Sequence, residues 1–148
     1  MVGVSVLSIE VSAPREAVFA VLADARRYAD WVVGTSSVRD ADESFPARGS
    51  RFGARISVGP LSDDAVTTVL ECDGPRRLVL RTRTRRLGAA EIELELEEQG
   101  KEATLVTMRE RAVGNQLVRL AQKLGDPLLS ARNRRSLQRL QELVESGA

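Results

Sequence analysis

A long amphipathic pattern at the end of the chain constrains its fold more than any other feature. Asp126 is a good helix N-cap, and Pro127 fits the first helical position, where a missing N–H costs nothing. From there to about Glu145, at 100° per residue, Leu129, Asn133, Ser136, Leu137, Leu140, Leu143 and Val144 fall on one stripe roughly 120° wide. The stripe is apolar except for Asn133 and Ser136 near its middle. Arg132, Arg134, Arg135, Gln138, Gln141, Glu142 and Glu145 read as a solvated face. Such a helix has to be covered by something large, and the strand-rich middle of the chain is the candidate cover.

From Ser37 to Arg111 the apolar period is mostly two. A weak strand begins at Val38 and runs into a loop near Glu43–Gly49, broken by Pro46 and Gly49. Phe52, Ala54, Ile56 and Val58 alternate with Arg51, Gly53, Arg55 and Ser57, giving one apolar and one polar face. Residues 65–72 form another strand whose apolar residues occur on both parities, so its faces stay open. After Asp73-Gly74-Pro75 comes the clearest hairpin. Leu78, Leu80, Thr82 and Thr84 alternate with Val79, Arg81, Arg83 and Arg85; past Leu87-Gly88-Ala89, Ile92, Leu94 and Leu96 alternate with four glutamates. A three-residue loop sets Arg85 opposite Glu91, Arg83 opposite Glu93 and Arg81 opposite Glu95, each pair worth ~0.2–1 kcal/mol on an outer face. The inner face then holds Leu80, Thr82, Thr84, Ile92, Leu94 and Leu96. In the last strand, Thr104–Arg111, inward Val106 and Met108 also aim Glu110 inward; the opposite parity, with Leu105, Thr107 and Arg109 inside, stays open.

Ahead of this region, Val4–Val11 reads as a strand apolar in part on both faces. Pro14 starts a helix buried through Val18, Val21, Leu22 and Ala25, and a second short helix carries Tyr28 and Trp31. Residues 115–124 read as a short lead-in helix before Gly125. The expected architecture is α+β: a strand, two short helices, about six antiparallel strands and a long helix, in a single domain over residues 1–148. Threonines and small residues on the inner face, with Asn133 and Ser136 on the helix, suggest a cavity there.

The absence of histidine removes Ser-His-Asp and Cys-His catalysis and the commonest zinc and iron ligand. With Cys72 the single cysteine, read as a small buried hydrophobe, no metal, cofactor or disulfide framework is expected. A formal charge of +1 argues against nucleic acid as a partner. The opening lacks a signal-peptide pattern and no apolar run is long enough to span a bilayer, so the expectation is a cytoplasmic monomer or homodimer.

The opening IEVSAPREAVFAVLADARRYADWV, the turn CDGPRRLVLRTRTR and the ending DPLLSARNRRSLQRLQELV resemble the polyketide cyclase/dehydrase-type branch of the START-like (SRPBCC) superfamily. The resemblance spans essentially the whole chain. It implies a helix-grip fold, a curved antiparallel sheet wrapped around the C-terminal helix, enclosing a pocket for a hydrophobic small molecule. The expected lining is Trp31, Phe52, Ile56, Leu80, Thr82, Thr84, Ile92, Leu94, Met108, Glu110, Leu129, Asn133 and Ser136. Trp31 with Tyr28 either gates the pocket or packs the short helix on the sheet. Asn133 and Ser136 meet a ligand's polar group or a buried backbone group. Glu110 is a pocket acid if its strand has the favoured parity. No residue stands out as catalytic, so binding or carriage of a lipid, polyketide or isoprenoid-like molecule is the leading expectation. An aromatase/cyclase-type enzyme and an interaction module with a vestigial pocket are the alternatives.

Overall fold

Seven antiparallel strands follow one another around the sheet nearly in chain order, because hairpin after hairpin lays each strand beside the last. The computed structural model describes residues 4–58, 60–113 and 126–147. Its elements are β1 (Val4–Val11), α1 (Arg15–Leu22), a 3-10 turn (Ala25–Arg27), α2 (Tyr28–Trp31), β2 (Thr35–Arg39), β3 (Arg51–Val58), β4 (Leu61–Asp73), β5 (Arg77–Thr84), β6 (Ala89–Glu98), β7 (Thr104–Val113) and α3 (Asp126–Glu145). The sheet order is β1-β7-β6-β5-β4-β3-β2, so the first strand closes onto the last. The curved sheet grips α3, which is a helix-grip. The reading of 115–124 as a lead-in helix lies outside the described residues.

Three rows of inward-facing side chains run across the strands. Ala112, Ala90, Thr82, Thr67 and Phe52 form one; Ser5, Glu110, Ile92, Leu80 and Val69 the next; Leu7, Met108, Leu94, Leu78 and Cys72 the third. The favoured parity of β7 is therefore the observed one, with Glu110 facing in between Ser5 and Ile92. The faces of β4 resisted reading for a physical reason. Leu70 is an extra residue between Val69, opposite Leu80, and Glu71, opposite Val79, and this bulge reverses the parity. Cys72 is exposed, not buried, because it lies beyond the bulge where β4 runs out into the Asp73–Gly74–Pro75 turn. That turn sits tightly on α1: a Cβ on Gly74 would come 2.7 Å from the Phe19 ring.

The β5–β6 hairpin keeps its inner face, but its register differs from the expected one. Thr84 N–H donates to the Gly88 carbonyl, so the loop is centred on Arg86 instead of Gly88, and Arg81 faces Glu91, Val79 faces Glu93 and Arg77 faces Glu95. The buried Asp63 carboxylate holds the loop at this position. It accepts the Arg86 N–H at 2.6 Å, while Arg85 N–H donates to the Asp64 carbonyl at 3.0 Å. Burial pushes the Asp63 carboxyl up, but the backbone N–H groups of Arg86 and Asp64 and the Arg86 charge outweigh it and hold it below its ordinary value. Thr84 closes the loop from the other side, donating to the Gly88 carbonyl and accepting the Leu87 N–H, both at 2.8 Å. Opposite charges still cover the outer face: Arg81 and Arg111 flank Glu91, and Arg109 bridges Glu93 and Glu95 at 3.3 and 3.0 Å.

Leu137, Leu140 and Val144 of α3 are buried, as the stripe predicts. They join Leu78, Leu94, Leu96 and Val106 of the sheet and Val18 and Leu22 of α1 in one cluster. The helix end is pinned to β1, with Gln141 Nε2 donating to the Glu10 carbonyl at 2.7 Å and Glu145 accepting the Ser12 N–H at 2.9 Å. No described helix is long and apolar enough to cross a membrane.

Candidate functional site

The middle of α3 carries the polar residues of the stripe, and two of its side chains hold the backbone N–H and carbonyl of Val33 in the turn after α2. Ser136 Oγ accepts the Val33 N–H at 3.0 Å, and Arg132 Nε donates to the Val33 carbonyl at 3.0 Å. Spacing of four residues puts both side chains on adjacent turns of one helix face. The turn also meets β3, with Ser57 N–H donating to the Gly34 carbonyl at 2.8 Å. Gly34 has φ +95, and a Cβ there would lie 2.6 Å from the Ser57 carbonyl oxygen, so only glycine fits this approach.

Arg132 does not belong to the solvated face where helix periodicity alone places it. Its long stem carries the guanidinium back over the helix edge, and Nη1 lies 3.9 Å from Oε1 of Glu110. The Glu110 side chain is 12% exposed, and among the described residues its carboxylate makes this ion pair but no hydrogen bond. Ser5, its partner on β1, is 3% exposed and its Oγ has no hydrogen-bond partner among the described residues. Sequence reasoning missed Ser5, because β1 has apolar residues on both parities; the available signal was a serine facing a presumed inward acid.

Two further buried groups are orphaned. Asn133 is 3% and Trp31 1% exposed, and among the described residues neither Nδ2 of the one nor Nε1 of the other has a hydrogen-bond partner. An unpaired buried donor costs ~1–3 kcal/mol. Trp31 belongs to an aromatic cluster in which Tyr28 lies 5.2 Å from Trp31, 5.1 Å from Phe52 and 5.9 Å from Phe45 between ring centroids. Tyr28 O–H donates to the Leu22 carbonyl at 2.7 Å, and burial, with a smaller contribution from the nearby Cys72, pushes its phenol far up. Tyr28 is thus a packing residue, while Trp31 combines packing with an unanswered N–H.

The remaining expected residues divide. Phe52, Leu80, Leu94 and Met108 are buried core; Ile56, Ile92 and Leu129 are half-buried. The Thr82 hydroxyl pairs with Thr67 at 2.8 Å, and that of Thr84 closes the hairpin loop, so neither is free for another partner without breaking a contact. A cleft of about 220 Å³ opens elsewhere, between β1 and α3, lined by Leu7, Ser8, Ile9, Arg134, Leu137 and Gln138. None of the expected lining residues borders it. Among the described residues no three acidic or cysteine side chains gather as a metal ion would need.

This arrangement has relatives. The family described as polyketide cyclase / dehydrase and lipid transport matches residues 3–145. The chain belongs to that family. Among solved structures of the same fold, the Zhui aromatase/cyclase from Streptomyces sp. R1128 superposes with a TM-score of 0.76 at 18% identity, over 96% of this chain and 93% of that one. A START superfamily protein from Mycobacterium smegmatis gives 0.70 at 13% identity, over 97% and 94%. A protein of Thermus thermophilus gives 0.76 at 17%, over 98% and 99%. At these identities the likeness carries the polyketide cyclase / lipid transport fold and nothing finer. A search of curated proteins finds no match.

Proposed function

We propose that the protein binds or carries a mainly apolar small molecule between the sheet and the N-terminal half of α3. The observation that carries this reading is the pair of orphaned donors, Trp31 Nε1 and Asn133 Nδ2, in nearly fully buried side chains. Native interiors satisfy buried donors, so groups left open at an otherwise apolar helix–sheet interface are best explained by a partner that supplies the acceptors. The lining read from the sequence, from Phe52 and Ile56 to Leu129 and Ser136, supplies the apolar walls. The family's description, which names both cyclisation and lipid transport, is compatible with such a ligand. Native mass spectrometry of protein purified from its own host tests the reading. A retained mass that leaves on denaturation is expected; no retained mass, together with no binding of an apolar fluorescent probe, overturns it.

One observation favours a second reading, an aromatase/cyclase. Glu110 and Arg132 face each other on the inner side, a proton acceptor beside a cation able to stabilise a developing negative oxygen. Turnover of a poly-β-keto thioester by wild type but not by Glu110→Gln separates this from carriage.

A further inference from the structure

The Glu110–Arg132 pair has unanswered polar capacity. At 3.9 Å its two atoms are too far apart for a hydrogen bond, though the acid is nearly buried and Arg132 is held in place by its Nε contact to Val33. A carboxylate removed from water without a hydrogen bond is costly, and a surface-type ion pair returns little of that cost. Among the described residues no protein donor closes the gap. Glu110 is flanked on the sheet by Ser5, whose hydroxyl is itself orphaned, and by Ile92. One oxygen placed astride the two atoms can lie within ~2.8 Å of both, donating to Oε1 and accepting from Nη1. Only a hydroxyl or a water does both. A carboxylate there meets the Glu110 charge, and an ammonium meets Arg132; the pair itself is neutral overall.

Resting on the binding reading above, we infer that Glu110, Arg132 and Ser5 form the polar end of the site and select an apolar ligand that is neutral and carries a hydroxyl. Glu110 takes the hydroxyl proton as a hydrogen-bond acceptor, Arg132 donates to its oxygen, and Ser5 Oγ completes the oxygen's surroundings. Apolar walls supply affinity common to many ligands, and this end supplies the discrimination.

Isothermal titration calorimetry with 2-naphthol, 2-methoxynaphthalene and 2-naphthoate tests the inference on the whole chain. These probes share a ring system and differ in the group offered. Wild type is expected to bind 2-naphthol about 10–100-fold tighter than the methyl ether, the gain of a charge-assisted hydrogen bond, with 2-naphthoate weakest. In Glu110→Gln the naphthol advantage should fall to about threefold or less. Equal binding of naphthol and its ether means that water keeps the gap; it overturns the inference and leaves the binding reading standing. Tightest binding of naphthoate overturns it in favour of Arg132 acting alone, and an advantage unchanged in Glu110→Gln overturns the assignment to Glu110. Failure of all three probes to bind overturns the inference, and only together with the absence of a retained mass does it also overturn the reading beneath it. The wild-type comparison decides even if the variant does not fold.

Discussion

The two halves of α3 lie against different surfaces. Toward its C-terminus Leu137, Leu140 and Val144 meet leucines and valines of the sheet, and the helix end is tied to β1 by Gln141 and Glu145. Ahead of these, Arg132 meets Glu110 and, with Ser136, the backbone of Val33, while Asn133 is buried with its amide nitrogen unpaired among the described residues. One helix thus supplies cohesion at one end and polar capacity at the other. A uniformly apolar stripe would give a more stable protein with nothing to recognise. In the binding reading proposed above, stability and recognition separate by residue number along a single element.

That separation is open to breaking by substitution. Leu140→Ala should have the largest effect, ~2–5 kcal/mol of lost stability, because it removes a fully buried side chain from a close-packed cluster. Thermal melting should show a fall on the order of 10 °C. A fall of only a degree or two would mean that the C-terminal half is not the cohesive one. Asn133→Leu, the same branched shape with methyl groups in place of the amide, should act the other way. Melting should stay level or rise, since an unpaired donor is removed, while binding of an apolar fluorescent probe or the retained ligand weakens by ~1–3 kcal/mol. Lower melting with intact binding would take Asn133 out of the site. Ser136→Ala should cost ~1 kcal/mol of stability, the net worth of the bond to Val33 N–H, and amide exchange at Val33 should speed up ahead of its neighbours.

The smallest effect is expected outside the helix, where the hairpin loop hangs on Asp63. Its carboxyl is held below its ordinary value in the fold, so its stabilising contribution is complete above the unfolded value of about 3.9 and is lost as pH falls through the lower folded value. Melting temperature should be flat from neutral pH to about 5 and decline below about 4. Asp63→Asn should flatten that decline; an unaltered decline would place the acid sensitivity elsewhere.

Local rules made much of this legible. The start of α3, its buried triad, the strand order and the inner face of the β5–β6 hairpin all follow from caps and periods, which act over a few residues. What escaped depended on contacts distant in sequence. The hairpin register slid because Asp63, more than twenty residues earlier, holds the loop at Arg86. The β4 bulge at Leu70 hid its parity, since a period of two cannot announce its own interruption. Arg132 looked solvated because a helical wheel positions Cα atoms, whereas a long flexible side chain can return over the edge. Of the expected site, Asn133, Glu110, Ser136 and Trp31 bring polar groups into the interior, while Thr82 and Thr84 have hydroxyl partners that belong to the sheet and its turn.

Trp31 has a consequence beyond packing. It is the chain's single tryptophan, and its indole N–H is enclosed without an acceptor. The protein's ultraviolet emission therefore comes from one buried chromophore beside the proposed site, with no second tryptophan to blur it. An acceptor arriving at that N–H polarises the excited indole and moves the emission to longer wavelength. Occupancy can then be followed without a label in the purified protein.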